Sequence, residues 1–244
     1  MSRVKVKRKS EIRRYTNTQE TETTYDDHQP HSYHEKVSFE PVKPMNKSQE
    51  RYINAINGNI ITFGVGCAGT GKSFVAAGVA ADMLRECHID KIIITRPVCE
   101  TGRNLGALPG ELNEKYAPYI EPLMDALNKQ LGASWVRNLV KNNKIIAAPM
   151  EFMRGKTFDN CVVIIDESQN TTPEQMKMML TRIGKNCKMV ITGDTKQSDL
   201  KQHNGLTYAV SRIGRVDGVS VVEFGLNDIV RHGIVRDVLI AWED

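Results

Sequence analysis

Ile60-Ile61-Thr62-Phe63-Gly64-Val65 leads without a break into Gly66-Cys67-Ala68-Gly69-Thr70-Gly71-Lys72-Ser73. That octet opens a helical pattern, Ser73 to Glu86, with Val75, Val79 and Met83 four apart. The octet meets G-x-x-x-x-G-K-[ST] at all four fixed positions and sits between a strand and a helix, the context the pattern requires. Glycines let backbone N–H groups turn inward around phosphate oxygens, and the following helix adds free N–H groups and the positive end of its dipole. Gly66, Cys67, Ala68, Gly69, Thr70, Gly71, Lys72 and Ser73 are therefore the candidate cradle for ATP. Lys72 brings charge to the β- and γ-phosphates, and the Ser73 hydroxyl is a candidate ligand for Mg²⁺.

Strands and helices alternate on either side. Strand candidates are Ile60 to Val65, Lys91 to Thr95, Lys144 to Ala148, Cys161 to Ile165, Lys188 to Thr192 and Ser220 to Phe224. Each is a short apolar run suited to a sheet buried on both faces. Asn46-Lys47-Ser48-Gln49 reads as a helix start, Tyr52, Ile53 and Ile56 supply an apolar face, and Gly58 ends the helix. Thr172-Pro173-Glu174-Gln175 reads as an N-cap, a proline at the first helical position and a capping-box glutamine. Met176, Met179, Leu180 and Ile183 follow on one core-facing stripe, with Gly184 as the stop. The alternation predicts an α/β domain: a mostly parallel sheet with helices on both faces and its site at the carboxyl ends of the strands.

Two of those strand ends carry chemistry. Cys161 to Ile165 runs into Asp166-Glu167, which puts Asp166 at the sheet edge to hold Mg²⁺ through water and Glu167 beyond it to polarise an attacking water. Lys188 to Thr192 runs into Gly193-Asp194-Thr195-Lys196-Gln197, where Gln197 is the amide placed to sense a γ-phosphate. Gly-Asp is also simply a good turn.

Composition bounds the alternatives. The 244 residues are 40% apolar and 25% charged, enough for one α/β domain of about 200 residues. The longest apolar runs, Cys161 to Ile165 and Val238 to Trp242, fall far short of the ~18 residues of a membrane helix. The basic first residues lack the apolar stretch of a secretory signal, so a cytoplasmic protein is expected. Five cysteines at 67, 87, 99, 161 and 187 form no CxxC pair and indicate neither a disulfide framework nor a thiolate metal site. Residues 1 to 14 hold seven Lys/Arg and one acid, a balance of +6, so the remaining 230 residues carry −2 of the chain's +4. A basic arm suits nucleic acid, while any contact on the body must come from placed residues. Residues 1 to 45 contain eleven apolar residues and cannot bury a core, so they read as a disordered polar tail ahead of a domain from 46 to 244.

GCAGTGKS, ITRPVCETGRNLGALPGELNEKYAPYIEPLMDAL, APMEFMRGKTF, VVIIDESQNTTPEQMKMMLTRIG, MVITGDTKQSDL and NDIVRHGIV together closely resemble the PhoH family of P-loop ATPases over residues 46 to 244. Cys67, Ser73 and Ser168 stand where that family usually has Pro, Thr and Ala. The resemblance implies a RecA-like P-loop NTPase core, ATP hydrolysis and kinship with the first motor domain of superfamily 1 helicases. It further implies roles by position. Gln49 resembles the helicase glutamine that reads adenine, with helix capping as the alternative. Arg96, and Arg154 with Thr157, resemble residues that line a nucleic-acid track, while Arg154 also suits a structural ion pair. Arg231 resembles the arginine that reaches the γ-phosphate from a second motor domain. Only one motor domain is evident, so the second face is expected from another copy in a homo-oligomeric ring, a hexamer being the common number among related motors. In that arrangement Arg231 acts on a neighbour's ATP; otherwise it folds back onto its own nucleotide or pairs with a carboxylate near a final helix whose Ile234, Val238 and Trp242 face the core. Gly102 to Leu131 carries helix signals around proline-containing turns and suits a lid, a subunit contact or a covering insertion.

The expected function is Mg²⁺-dependent ATP hydrolysis coupled to single-stranded RNA or DNA as a helicase-like motor, with no membrane partner. The rival is a nucleotide-switched binding protein that hydrolyses slowly and moves no strand.

Overall fold

The computed structural model describes residues 40–97, 112–195, 197 and 204–243; the basic arm, nearly all of the polar tail, Cys99 and segment 102–111 lie outside them. The apolar runs form β1 (Ile61–Gly66), β2 (Lys91–Thr95), β3 (Ile145–Ala147), β4 (Cys161–Ile165), β5 (Cys187–Gly193) and β6 (Val219–Phe224). They make one sheet in the order β3-β2-β4-β5-β1-β6. Every pair in it is parallel. Register pairs Gly64 with Thr192 and Ile165 with Ile191, so the carboxyl ends of β1, β4 and β5 lie side by side at the centre of one edge.

Alternate side chains of these strands enter two cores. Ile92, Ile94, Val162, Ile164 and Val190 pack on one face with α1 (Lys47–Gly58), α2 (Lys72–Arg85), α3 (Leu112–Leu131) and α4 (Ala133–Lys141). Phe63, Val65, Ile93, Val163, Ile165, Met189 and Ile191 pack on the other with α5 (Pro173–Leu180) and α6 (Gly205–Ile213). Burial on both faces explains why the strands read as continuous apolar runs rather than as alternating ones.

Local signals set several helix ends. The Asn46 side chain accepts the Gln49 N–H at 2.8 Å and starts α1. Thr172 and Gln175 exchange both bonds of a capping box at α5, and Met176 and Met179 are buried. The chain is already docked ahead of Asn46: Val42 donates its N–H to Asp82 Oδ2 at 2.8 Å, and its side chain lies against Gly78 of α2.

Three expectations are corrected. α5 ends at Leu180, not near Gly184, because the following turn swings Ile183 into a parallel bridge with Phe158 and the Gly184 N–H onto the Phe158 carbonyl at 2.9 Å. Pro118 and Pro122 lie inside α3 rather than in turns. Burial of Tyr116, Ile120, Leu123, Leu127 and Leu131 offsets the hydrogen bonds that the two prolines remove. The final helix, α7 (Gly233–Glu243), does not turn Ile234 and Val238 to the core; they are 57% and 50% exposed. α1 packs on β6, and α7 makes no comparable contact with any element among the described residues. The Trp242 side chain is outside the described residues.

Candidate nucleotide site

The loop between β1 and α2 owes its shape to glycine. Gly66 has φ +127°, and a Cβ there would stand 1.9 Å from the Phe224 carbonyl oxygen. Gly71 caps α2 at φ +82°, where a Cβ would meet Gln49 Nε2 at 2.6 Å. Ala68, Gly69, Gly71, Lys72 and Ser73 line a cleft of about 340 Å³, closed opposite by Asp166, Glu167, Gly193, Asp194 and Gln197. Lys72, Ser73, Glu167 and Gln197 thus converge from the ends of the three central strands, and Arg231 joins them from beyond β6; Gly66, Cys67 and Thr70 shape the loop without lining the cleft.

Lys72 is nearly buried, and its Nζ donates to the Gly66 and Cys67 carbonyls at 2.7 Å each. Burial pulls its ammonium below the usual lysine value, against an opposing pull from Asp194, Cys67, Asp166 and Glu167. The Thr70 hydroxyl donates to the Cys67 carbonyl at 3.0 Å and fixes the turn of the loop. Ser73 Oγ donates to Asp166 Oδ1 at 2.7 Å, and Thr192 Oγ1 donates to the same oxygen at 2.6 Å. These are hard oxygen donors, the chemistry Mg²⁺ takes when phosphate and water complete its shell. Among the described residues no group of three or more His, Cys, Asp and Glu is assembled for a metal.

Glu167 adopts φ +52° and ψ +39°, a left-handed conformation that costs a non-glycine residue about 1–2 kcal/mol. Its Oε2 accepts the Gln169 side-chain N–H at 2.6 Å. Its Oε1 lies 3.6 Å from Arg96 Nη2. Arg96 thus lines the same cleft, and its Nη1 donates to the Tyr119 carbonyl of α3 at 2.9 Å. Burial pushes the neighbouring Tyr116 hydroxyl up to about 12, and that group accepts the Arg96 backbone N–H at 2.6 Å.

Gln49 is buried, with Nε2 donating to the Thr70 carbonyl at 2.9 Å and Oε1 accepting the Met45 N–H at 2.8 Å. Both ends of the amide brace the helix start and the loop. Arg231 belongs to a segment laid over its own cradle: the Val230 N–H donates to the Gly69 carbonyl at 3.0 Å, and Asn46 Nδ2 donates to the Asp228 carbonyl at 3.1 Å. The Arg231 side chain crosses Gly69 so closely that a Cβ there would meet its Cδ at 3.0 Å, and it lines the cleft. Among the described residues it has no carboxylate partner. Arg154 and Thr157 are exposed beyond the carboxyl end of β3, away from the cleft, and Arg154 forms no ion pair among the described residues.

Three contributors escaped the sequence reading. Thr192 was legible only through the β4–β5 register that sets it beside Asp166. Gln169 follows the acidic pair by two residues, yet its role depends on a buried amide that also accepts the Asp194 N–H at 3.1 Å. Phe152 is 52% exposed between the buried Met150 and Met153, close in sequence to Arg154.

The model of the PhoH-like protein family matches residues 41–243. The chain is 40% identical to a PhoH-like protein of Bacillus subtilis (strain 168), covering 98% of this chain and 73% of that one. It is 44% identical to a PhoH-like protein of Synechocystis sp. over 80% of this chain and 60% of the other. With Protein PhoH of Escherichia coli (strain K12) the identity is 41%, over 83% and 58%. The chain thus spans less than two thirds of the last two relatives. Among solved structures it is similar to the UvsW helicase from Bacteriophage T4, with a TM-score of 0.45 and 12% identity over 75% of this chain and 60% of that one, too distant to bear on function.

Proposed function

The chain belongs to the PhoH-like protein family, and we propose that it is a Mg²⁺-dependent ATPase whose turnover is coupled to single-stranded RNA or DNA. The observation that carries this reading is the convergence of Lys72, Ser73, Asp166 and Glu167 on one cleft, with Ser73 Oγ 2.7 Å from Asp166 Oδ1. Loop N–H groups and Lys72 would hold the phosphates, with Gln197 on the facing wall and Arg231 over Gly69 as the groups available to a γ-phosphate. Bound at Ser73 and Asp166, Mg²⁺ would neutralise developing phosphate charge. Glu167 accepts the proton of a water whose oxygen bonds the γ-phosphorus while the bridging bond to the β-phosphate breaks, releasing ADP and phosphate.

The strand is read from weaker marks: Arg96 just past β2, Arg154 and Thr157 in the connection from β3 to β4, which resemble residues of a nucleic-acid track, and the exposed Phe152 ring two residues before Arg154, a surface on which a base could stack. A homo-oligomeric ring, six-membered by expectation, belongs to the same proposal and is checked by light scattering with and without Mg·ATP.

Lys72→Ala should lose nucleotide binding, whereas Glu167→Gln should bind normally and lose turnover by about 10² to 10⁴, the usual contribution of a general base. Equilibrium binding and phosphate release measure the two separately. Normal turnover in either variant, or lost binding in Glu167→Gln, rejects the assignment. Turnover that no single strand stimulates leaves the nucleotide-switched binder as the better reading.

A further inference from the structure

Arg96 and Glu167 belong to different tasks, strand contact and water activation, yet they face each other at 3.6 Å on the rim of the cleft with side chains 26% and 39% exposed. The two carboxylate oxygens have holders of opposite character. Oε2 is held by Gln169, which is 3% exposed and tied to the end of β5 through the Asp194 N–H. Oε1 faces the end of a long, partly solvated guanidinium.

We propose that Arg96 is a positioning residue that restrains Glu167 until a phosphate of a bound single strand draws the guanidinium away. The inference rests on the reading of the protein as a strand-coupled ATPase. A base must present a carboxylate oxygen to the water. A guanidinium beside Oε1 competes with that water for the oxygen. A phosphodiester is the matching competitor, since guanidinium prefers planar oxyanion pairs. Arg96 need not leave its place to switch: Nη1 is anchored on the Tyr119 carbonyl, so rotation about that contact carries Nη2 from carboxylate to phosphate. Gln169 keeps Oε2 fixed meanwhile, so release of Oε1 frees a proton acceptor without losing its aim. Strand binding and hydrolysis are thereby linked through one side chain, with no larger movement needed.

The test is steady-state ATP turnover of the full chain carrying Arg96→Gln, without nucleic acid and with oligo(dT) or oligo(rU). Basal kcat should rise several-fold with KM for ATP unchanged, and the added strand should give no further stimulation. Arg96→Lys, which keeps the charge, should keep a low basal rate and some stimulation. Should the glutamine variant fail to fold, Arg96→Met removes the charge with a different side chain and is judged by the same numbers. A folded charge-free variant whose basal kcat is unchanged or lower, or which is still stimulated like the wild type, overturns the restraint. A wild-type protein that hydrolyses ATP but responds to neither strand overturns it too. A wild-type protein with no turnover overturns the ATPase reading on which it rests, so the two failures are told apart.

Discussion

Replacing Arg231 by alanine asks whether each subunit completes its own site. The Arg231 side chain lies across Gly69 of the same chain and lines the same cleft as Lys72 and Glu167. An arginine that neutralises transition-state charge contributes ~10³ to 10⁵ in rate, or about 4–7 kcal/mol at 1.36 kcal/mol per decade. Arg231→Ala and Glu167→Gln should each silence hydrolysis on their own. The informative sample is their 1:1 mixture under conditions where subunits exchange. If Arg231 served a neighbour, roughly one interface in four of a randomly assembled ring would unite an intact glutamate with an intact arginine, giving about a quarter of wild-type turnover. With both groups drawn from one chain, every subunit lacks one of them, and the mixture should remain at about the 10⁻² level or below. The two outcomes differ by more than tenfold in a phosphate-release assay. Recovery of a substantial fraction of wild-type activity on mixing would refute the single-chain arrangement.

Gly64→Ala tests packing behind the loop: the new Cβ would lie 2.7 Å from Tyr52 Cζ and Oη, and Tyr52 is fully buried against Phe224 with ring centroids 5.4 Å apart. Overpacking of this kind costs ~1–3 kcal/mol, so thermal denaturation should move down by several degrees, and an unchanged Tm would mean that the ring yields freely. Removing residues 1 to 14 should weaken affinity for a single strand and flatten its salt dependence while basal ATP turnover survives, because seven cations leave with the arm. A salt slope identical to that of the full chain would exclude the arm from the contact.

The parts that were legible in the sequence are those fixed by neighbours along the chain. A run such as Cys161 to Ile165 must be shielded on both sides, which suffices to call for a central parallel strand, and the Asp166-Glu167 pair follows at its end. Asn46 and Thr172 announce helix starts because an N-cap acts over three residues. What depends on distant partners was hidden. Periodicity names Ile234 and Val238 as sharing a side of α7 but says nothing of whether anything covers them. Pro118 and Pro122 weaken a helix locally, and only the buried stripe of α3 overrules them. The end of α5 is set by Phe158, more than twenty residues upstream. Within the site, the resemblance supplied Arg96 and Arg231 as candidates, while the carboxylate beside the first and the loop beneath the second required the fold.

If the cradle takes nucleotide as proposed, the bonds that Lys72 makes within its own loop bear on how it enters and leaves. Its Nζ already has two carbonyl oxygens at 2.7 Å, so a phosphate obtains the lysine by exchange, not by capturing a bare ammonium. On the proposed reading, a titration of ATP would measure the difference between two sets of charge-assisted hydrogen bonds, and the same carbonyls would take the ammonium back when ADP departs.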